Sequence, residues 1–246
     1  MTPISCPGCG VHDRRGFLRL GGAAAAAVAV GGGLFASKAR AVVLSKAQRD
    51  GMTPDDILKL MKKGNARFRQ GKRETHDFLA QQKASAKGQY PAAVLLSCID
   101  SRAPAETILD LGIGSIFNCR VAGNVADDDV LGGMEFSCKL MGAKVVLVMG
   151  HTACGAIKGA IDNAELGNLT GLLAKIKPAV QATQYSGART SSNYPFVDAV
   201  ARTNVELMMA EIRARSAVLR ELEGAGTIKI AGAMYNLESG VADFFG

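Results

Sequence analysis

Residues 92–97, AAVLLS, form a short apolar run of the kind that becomes a strand buried on both faces of a sheet. Similar runs occupy residues 116–121, 143–149 and 227–237, and segments long enough for helices separate them. Strands that alternate with helices favour a parallel sheet covered by helices on both sides. The predicted fold class is therefore α/β, with a mostly parallel central sheet flanked by helices.

An amphipathic helix is predicted before the first strand, over residues 53–70. Its start is marked by Thr53-Pro54-Asp55-Asp56, which supplies an N-cap, a proline in the first turn and two acids at the positive end of the helix dipole. Further helices are expected from Asp127 to about Leu140 and from about Val205 to Leu222, whereas residues 71–90 read as helix and loop. The first helix is an N-terminal helical arm.

The composition fits a single domain, which we assign to residues 42–246. With 246 residues, of which 48% are hydrophobic, the chain can bury a full core. Its formal net charge is +7, but after residue 41 the lysines and arginines outnumber the acids by only three and are dispersed. Because no basic run is interleaved with aromatic residues, nucleic acid is excluded as a partner.

The first 41 residues resemble a twin-arginine export signal. Asp13-Arg14-Arg15-Gly16-Phe17-Leu18-Arg19 precedes an uncharged stretch from Leu20 to Ser37, and Ala39-Arg40-Ala41 fits an A-x-A cleavage site. We expect a mature chain that begins near Val42, is periplasmic or secreted, and has no stable membrane association. The alternative, an uncleaved membrane anchor, is less favoured because abundant glycine and alanine make the stretch weakly apolar.

Three side chains with metal-ligand chemistry follow the predicted strands. Cys98 comes directly after the first strand, and His151 and Cys154 follow the third. The carboxyl ends of parallel strands meet at one edge of a sheet, and Cys154 lies one helical turn beyond His151 if a helix begins there. Two thiolates and an imidazole are typical zinc ligands, and a catalytic zinc site leaves its fourth position open. The sequence therefore predicts one Zn²⁺ per chain.

Asp100 and Arg102 extend the predicted metal site. The carboxylate of Asp100 is placed either to hydrogen-bond a zinc-bound hydroxide or to become the fourth ligand itself, and Arg102 is its natural partner. With Asp100 as a permanent ligand, the site would be closed and the chain a non-catalytic zinc module. Taken alone, each cysteine reads as a buried thiol and the histidine as a hydrogen-bonded core residue.

These segments closely resemble the β-class carbonic anhydrases, in which Cys-x-Asp-x-Arg and His-x-x-Cys-Gly motifs build the zinc site. The resemblance runs from about Thr53 to Gly246 and includes the arm and the stretch Arg120-Val121-Ala122-Gly123-Asn124. It implies a small-molecule substrate, carbon dioxide or bicarbonate, and reversible hydration of carbon dioxide to bicarbonate and a proton by zinc-bound hydroxide. It also implies a homodimer or higher homo-oligomer whose arms embrace a second subunit. Hydrolysis of carbonyl sulfide or carbon disulfide, as in some relatives of the family, is the alternative.

The resemblance assigns roles to individual residues. Asp100 and Arg102 would be catalytic, with Asp100 accepting the hydrogen bond of the hydroxide. The substrate would be bound by Gln89, Phe117, Ala122 and Gly155, and family dimers complete each pocket from the neighbouring chain. Gly155 also lets the backbone approach the site closely.

Two departures from the family pattern bear on activity. Phe136 stands where plant-type members carry a tyrosine, and the chain has no tryptophan, a residue of the inhibitory bicarbonate pocket of some bacterial members. We therefore expect an active arrangement in which Asp100 pairs with Arg102 and water completes the zinc sphere. His76 is either a proton relay or, more simply, a surface histidine in a loop.

The other cysteines are expected to have no ligand role. Cys6 and Cys9 lie in the leader and would depart with it. Cys119, in an apolar strand, and Cys138, on a helix, read as buried and inert thiols, and a disulfide between them stays open as an alternative.

Overall fold

The computed structural model describes residues 43–246 of the chain. The predicted signal peptide of residues 1–41, with Cys6 and Cys9, lies outside the described residues. Within residues 43–246, no helix combines the length and the apolar character that a membrane span requires.

A five-stranded sheet forms the centre of the described region and confirms the predicted α/β class. Its strands are β1 (Ala93–Ser97), β2 (Ile116–Arg120), β3 (Val145–His151), β4 (Lys229–Tyr235) and β5 (Ala242–Phe245). They lie in the order β2-β1-β3-β4-β5, with β1 to β4 parallel and β5 antiparallel to β4. All four predicted strands are therefore present, in a mostly parallel sheet.

Strand β5 is absent from the sequence prediction. It is only four residues long and follows a tight reversal, in which the side-chain oxygen of Asn236 accepts hydrogen bonds from the backbone N–H groups of Glu238 and Ser239. Gly240 completes the turn with a φ of +71°. A strand this short has too few residues for apolar alternation to show. The turn residues Asn236 and Gly240 are the better indication that the chain reverses here.

Helices cover both faces of the sheet. Those in the described residues are α1 (Lys46–Asp50), α2 (Pro54–Arg69), α3 (Phe78–Ser85), α4 (Ala105–Ile108), α5 (Asp128–Glu135), α6 (Gly155–Ile161), α7 (Gly167–Ala174), α8 (Lys177–Ala182), α9 (Tyr194–Arg215) and α10 (Ala217–Gly224). A short 3-10 turn spans Ala122–Asn124, and a π-helical turn, Phe136–Leu140, continues α5.

Helix α2 is the predicted N-terminal arm. The Thr53 hydroxyl accepts a hydrogen bond from the Asp56 N–H at 3.1 Å, and the Asp56 carboxylate accepts one from the Thr53 N–H at 3.0 Å. This reciprocal capping box satisfies two N–H groups that a helix start otherwise leaves unpaired. Ile57, Leu58 and Met61 are buried against the sheet of their own chain. The expected embrace of a second subunit stays a prediction.

The central strands β1 and β3 are buried on both faces, as predicted, whereas the outer strand β2 is only partly buried, which corrects the expectation for residues 116–121. Val94 and Leu96 of β1 belong to the core on the side of α9, whereas Ala93 and Leu95 belong to the core on the side of α2. Every residue of β1 and β3 is buried. Each large aliphatic side chain buried in this way contributes about 1.5–3 kcal/mol to folding. The two central strands therefore form a rigid support for the residues at their ends.

The helix predicted from about Val205 to Leu222 is wrong in extent. Helix α9 begins at Tyr194 and ends at Arg215, and Ser216 separates it from α10 with an extended backbone of φ −108° and ψ 102°. The Ser216 hydroxyl accepts a hydrogen bond from the Leu219 N–H at 3.1 Å and so caps α10. Apolar periodicity runs on across residue 216, which hides the break from sequence analysis.

Candidate metal centre

The three predicted metal ligands lie at the carboxyl edge of the sheet. Cys98 directly follows β1, and His151 is the last residue of the neighbouring strand β3. Cys154 is the N-cap of α6. Because β1 and β3 are adjacent and parallel, their ends bring residues that are far apart in sequence to one place.

His151 and Cys154 do not share a turn of helix, which corrects one sequence expectation. Helix α6 begins only at Gly155, and a turn through Thr152 and Ala153 connects it to β3. Ala153 has a φ of +54°. This left-handed conformation costs a residue other than glycine about 1–2 kcal/mol, so contacts elsewhere must hold the turn that returns Cys154 to His151.

The spacing of the ligand atoms fits a tetrahedral metal ion. One ligand atom from each of Cys98, His151 and Cys154 lies within 4.8 Å of the others, and all three side chains are buried. The two sulfurs are 4.0 Å apart. Zn–S bonds of about 2.3 Å in a tetrahedron place two sulfurs about 3.8 Å apart. The donor set and its spacing therefore suit zinc with little adjustment.

His151 presents the nitrogen that a metal would bind. Its Nδ1 lies 2.9 Å from the carbonyl oxygen of Thr152, which can only accept, so Nδ1 carries the proton. Its Nε2 is buried and has no hydrogen-bond partner among the described residues. A buried polar atom without a partner is costly, and a metal ion bound to the free lone pair would remove that cost.

The two candidate thiol ligands are in contact, and this contact shifts their pKa values in opposite directions. The contact between the two sulfurs lowers the pKa of Cys98 and raises that of Cys154. The N–H of Gly123 also donates to the Cys98 sulfur, at 3.4 Å. Cys98 is therefore readily a thiolate, the form in which cysteine binds metals.

Asp100 and Arg102 form a two-point ion pair beside the ligands. Arg102 Nε donates to Asp100 Oδ1 at 3.0 Å, and Arg102 Nη2 donates to Asp100 Oδ2 at 2.7 Å. The Arg102 hydrogen bonds hold the pKa of Asp100 down at about 2. Asp100 Oδ2 also lies 3.8 Å from His151 Nε2. An ionised carboxylate of fixed orientation thus adjoins the place where a metal would sit.

Arg120 is a site residue to which the sequence analysis assigns no role. Its Nε donates to the carbonyl oxygen of Cys98 at 3.0 Å, and its Nη2 donates to the carbonyl oxygen of Asp100 at 2.7 Å. One guanidinium therefore holds the backbone that carries both side chains. Arg120 is the last residue of β2 and pairs with Ser97, the residue before Cys98, so its position in the predicted sheet could have indicated this role.

Two of the four predicted substrate-binding residues adjoin the ligands. Ala122 stands directly before Gly123, whose N–H faces the Cys98 sulfur, and Gly155 directly follows Cys154. An added Cβ at Gly155 would meet no atom of the chain within 4 Å, and the expected close approach of this backbone to a metal or substrate stays a prediction.

The other two predicted substrate-binding residues lie toward the amino ends of the strands, whereas the candidate metal ligands lie at the carboxyl ends. Gln89 is exposed and precedes β1, whereas Cys98 follows that strand. Phe117 pairs with Val94 near the start of β1, and its ring meets that of Phe136 edge-on at 6.1 Å between centroids. A single chain therefore does not gather the whole predicted pocket around its own metal ligands.

His76 is not the surface histidine that the simpler interpretation describes. Its side chain is only 5% exposed, and its Nε2 lies 3.2 Å from the Asp110 carboxylate. It lines a cavity of about 150 Å³ together with Ala92 and Ile116, at the amino ends of β1 and β2. That position is at the other end of the strands from Cys98 and His151.

Cys119 and Cys138 are free thiols, as are all cysteines within residues 43–246. The disulfide that the sequence leaves open between them is therefore not formed. Cys138 is buried, and burial raises its pKa to about 12, in agreement with an inert thiol. Cys119 is partly exposed, which corrects the expectation of a buried thiol, although its partial burial also raises its pKa.

Comparison with known proteins agrees with this geometry. The family model described as carbonic anhydrase matches residues 93–242. Carbonic anhydrase 2 of Mycobacterium tuberculosis is 33% identical over 190 residues, which are 75% of this chain and 89% of that protein. The carbonic anhydrase of Mycolicibacterium smegmatis is 32% identical over 188 residues, which are 74% of this chain and 88% of that protein. Sequence similarity thus extends over most of both relatives.

A solved structure shares the fold. The β-carbonic anhydrase CafA of the fungal pathogen Aspergillus fumigatus superposes with a TM-score of 0.59 and is 26% identical, covering 78% of this chain and 89% of that one. The chain therefore belongs to the carbonic anhydrase family, in its β class. Its enzyme class is carbonate dehydratase, and its Cys98, His151 and Cys154 cluster has the geometry to hold a metal.

Proposed function

We propose that the chain catalyses the reversible hydration of carbon dioxide with one Zn²⁺ held by Cys98, His151 and Cys154. The observation that carries the proposal is the cluster of three buried ligand atoms within 4.8 Å of one another. The unpartnered Nε2 of His151 supports a metal ligand rather than a core histidine. Three protein ligands with a fourth position left over are typical of catalytic zinc sites.

When bound, zinc would supply Lewis-acid chemistry that brings the pKa of a bound water toward neutrality. The part that the protein plays is orientation. Asp100 is ionised at working pH and can only accept hydrogen bonds, so it would hold the O–H of the attacking oxygen and turn a lone pair toward the carbon of carbon dioxide. Arg102 would keep Asp100 in that role by its two-point contact.

The same contact favours an open site over a closed structural one. Asp100 Oδ2 is near enough to the ligands to reach a metal, but it accepts a hydrogen bond from Arg102 Nη2 at 2.7 Å. To become a fourth ligand, the carboxylate would have to leave this ion pair. We therefore propose that Asp100 stays with Arg102 and that water takes the fourth position.

Metal analysis together with stopped-flow hydration tests the proposal. We expect one zinc per purified chain and rapid hydration, both lost in Cys98→Ser. Cys119→Ser is the matched control, because it changes a cysteine outside the ligand set and should keep both. Assays of sulfide release from carbonyl sulfide and carbon disulfide belong to the same experiment. Sulfide release without hydration would favour the alternative substrates, and zinc without either activity would indicate a structural module.

We further propose a homodimer or larger homo-oligomer with pockets shared between chains. Gln89 and Phe117 stand toward the opposite edge of the sheet from Cys98, so a second chain is needed to bring such residues to the metal. The β-carbonic anhydrases of Sordaria macrospora, whose fold is similar at a TM-score of 0.57, are described as tetrameric.

Mixing two inactive variants distinguishes shared pockets from separate ones. Gln89→Ala chains keep the metal ligands, and Cys98→Ser chains keep Gln89. If pockets are shared, a mixed dimer contains one intact site, so activity should return after the subunits are exchanged. Continued inactivity of a mixture whose heterodimers are verified by mass would exclude sharing.

Export by the twin-arginine route is also proposed, on the sequence of residues 1–41 alone. Replacing Arg14 and Arg15 with lysine should retain the protein inside the producing bacterium, whereas the unchanged chain should be recovered, shortened to begin near Val42, from the periplasm or medium. Identical fractionation of the two proteins would refute this route.

A further inference from the structure

Two left-handed turns shape the metal centre. Ala153, with a φ of +54°, lies between the ligands His151 and Cys154. Gly123, with a φ of +67°, directs its N–H at the Cys98 sulfur. The first turn sets the separation of two ligands, and the second places a hydrogen-bond donor on the third.

Helix α9 contacts both turns through polar side chains. Asp198 Oδ1 accepts a hydrogen bond from the backbone N–H of Ala153 at 2.7 Å. Asn204 Nδ2 donates to the carbonyl oxygen of Gly123 at 2.8 Å, and the Asn204 side chain is fully buried. Both side chains come from one helix whose buried face packs in the main core.

We propose that Asp198 and Asn204 are positioning residues that hold the ligand geometry ready before the metal binds. This inference rests on the proposed zinc function. Without Asp198, the peptide before Ala153 can rotate toward an ordinary conformation, and the separation of His151 and Cys154 is no longer held. Without Asn204, the Gly123 N–H is free to turn away from Cys98. Partners of this kind orient ligands that bind the metal directly.

The two contacts differ from ordinary helix packing in where they act. Neither bond joins two regular elements, because each ends on a backbone group of a turn next to a ligand. A merely structural role predicts a loss of stability with unchanged metal binding. A positioning role predicts faster metal release.

Metal release to a coloured chelator, measured on zinc-loaded protein, separates the two roles. We expect Asp198→Ala to release zinc about 10-fold faster than the unchanged chain. Asp198→Asn should fall between them, because an amide oxygen can still accept from the Ala153 N–H. If Asp198→Ala folds poorly, the rate of zinc release can still be compared between Asp198→Asn and the unchanged chain.

Glu223→Ala is the matched control. Glu223 likewise accepts a backbone N–H, that of Ile230 at 3.1 Å, but it lies away from both turns. The Glu223→Ala substitution should lower Tm and leave the rate of zinc release unchanged. Equal acceleration of release in Asp198→Ala and Glu223→Ala at equal loss of Tm would overturn the proposal, as would an unchanged rate in Asp198→Ala.

A rescue variant tests whether Asp198 acts by holding the backbone conformation at Ala153. Glycine adopts positive φ without a side-chain penalty, so Ala153→Gly should partly restore slow zinc release to Asp198→Ala. Failure of this rescue would contradict a role through the turn. The proposed function fails separately, since an unchanged chain that takes up no zinc would refute that proposal before any variant is compared.

Discussion

Arg102 and Asp100 meet through two parallel hydrogen bonds, and a lysine cannot reproduce that contact. Arg102 Nε and Nη2 each donate to a different oxygen of the Asp100 carboxylate, at 3.0 and 2.7 Å. A lysine offers one compact charge on a flexible stem, so it would leave the carboxylate free to rotate. Asp100 would then be able to approach the metal position that lies next to His151 Nε2.

Arg102→Lys should lower kcat/KM for carbon dioxide hydration by about 10–100-fold. Tm should change little, because the Arg102 side chain is 57% exposed and exposed ion pairs contribute little to stability. Arg213→Lys is the control, since Arg213 forms a similar two-point contact with Glu223 away from the metal centre. Full activity of Arg102→Lys would show that the two-point contact between Arg102 and Asp100 is not needed for catalysis.

Site residues were predictable where their signal is local. Cys98, His151 and Cys154 stand beside predicted strand ends, and Asp100 and Arg102 follow Cys98 within four residues. Asp198 gives no such signal, because it lies on a helix far along the chain and touches the site through one backbone N–H. Its contact depends on how α9 packs, which no local pattern contains.

The break between α9 and α10 depends on one buried serine. Ser216 is 1% exposed, accepts a hydrogen bond from the Leu219 N–H and donates one to the Glu135 carboxylate at 2.6 Å. The first bond caps α10, and the second joins this junction to the end of α5. The junction thereby connects three helices on one face of the sheet.

Ser216→Ala should lower the free energy of unfolding by about 1–2 kcal/mol, since it removes a helix cap and leaves Glu135 without this partner. Urea denaturation followed by circular dichroism measures the change. Ser192→Ala, at an exposed serine, should stay within about 0.5 kcal/mol of the unchanged chain. Equal midpoints for Ser216→Ala and the unchanged protein would contradict the capping role.

Element prediction succeeded where patterns are long and failed where they are short or ambiguous. The strands β1 to β4 are confirmed because each is a mostly apolar run of five to seven residues, although β2 includes Asn118 and Arg120. Strand β5 is missing because four residues are too few to show alternation. The single helix predicted across residue 216 reflects a pattern that a capping serine interrupts without changing its apolar period.

The Asp110 carboxylate connects α2 and the segment after it to the end of α4 through hydrogen bonds. Its side chain is fully buried and accepts hydrogen bonds from Arg67 Nε at 2.6 Å and from the Glu74 N–H at 3.1 Å, with His76 Nε2 at 3.2 Å. Arg67 belongs to the arm α2, and Asp110 follows α4. Burial acts to raise the pKa of Asp110, but the hydrogen bonds from Arg67 and its neighbours lower it overall.

This lowered pKa predicts a loss of stability in acid. A carboxyl group with a lower pKa in the folded state stabilises the fold above its unfolded pKa of about 3.9, and that stabilisation disappears as the pH falls through the folded value. Asp110→Asn should therefore cost about 1.5–3 kcal/mol at pH 7. The difference from the unchanged chain should shrink below about pH 4.

Urea titrations at a series of pH values provide the measurement. Asparagine suits the test because it tolerates the φ of +51° at residue 110, so the substitution removes charge without adding backbone strain. Asp129→Asn, at an exposed carboxylate, is the control and should change stability little at any pH. A constant difference between Asp110→Asn and the unchanged chain across pH 2–7 would contradict the assignment.

The α/β class, the four parallel strands and the candidate metal ligands at their ends can be predicted from local sequence patterns. These are local properties, because a short apolar run is enough to indicate a buried strand and parallel strands bring their carboxyl ends to one edge of the sheet. The contacts between distant groups become known only from the folded structure, as for Arg120 with the Cys98 carbonyl, Asn204 with Gly123 and Asp110 with Arg67. Such hydrogen bonds depend on positions within a few tenths of an ångström, which arise only when the helices pack on the sheet.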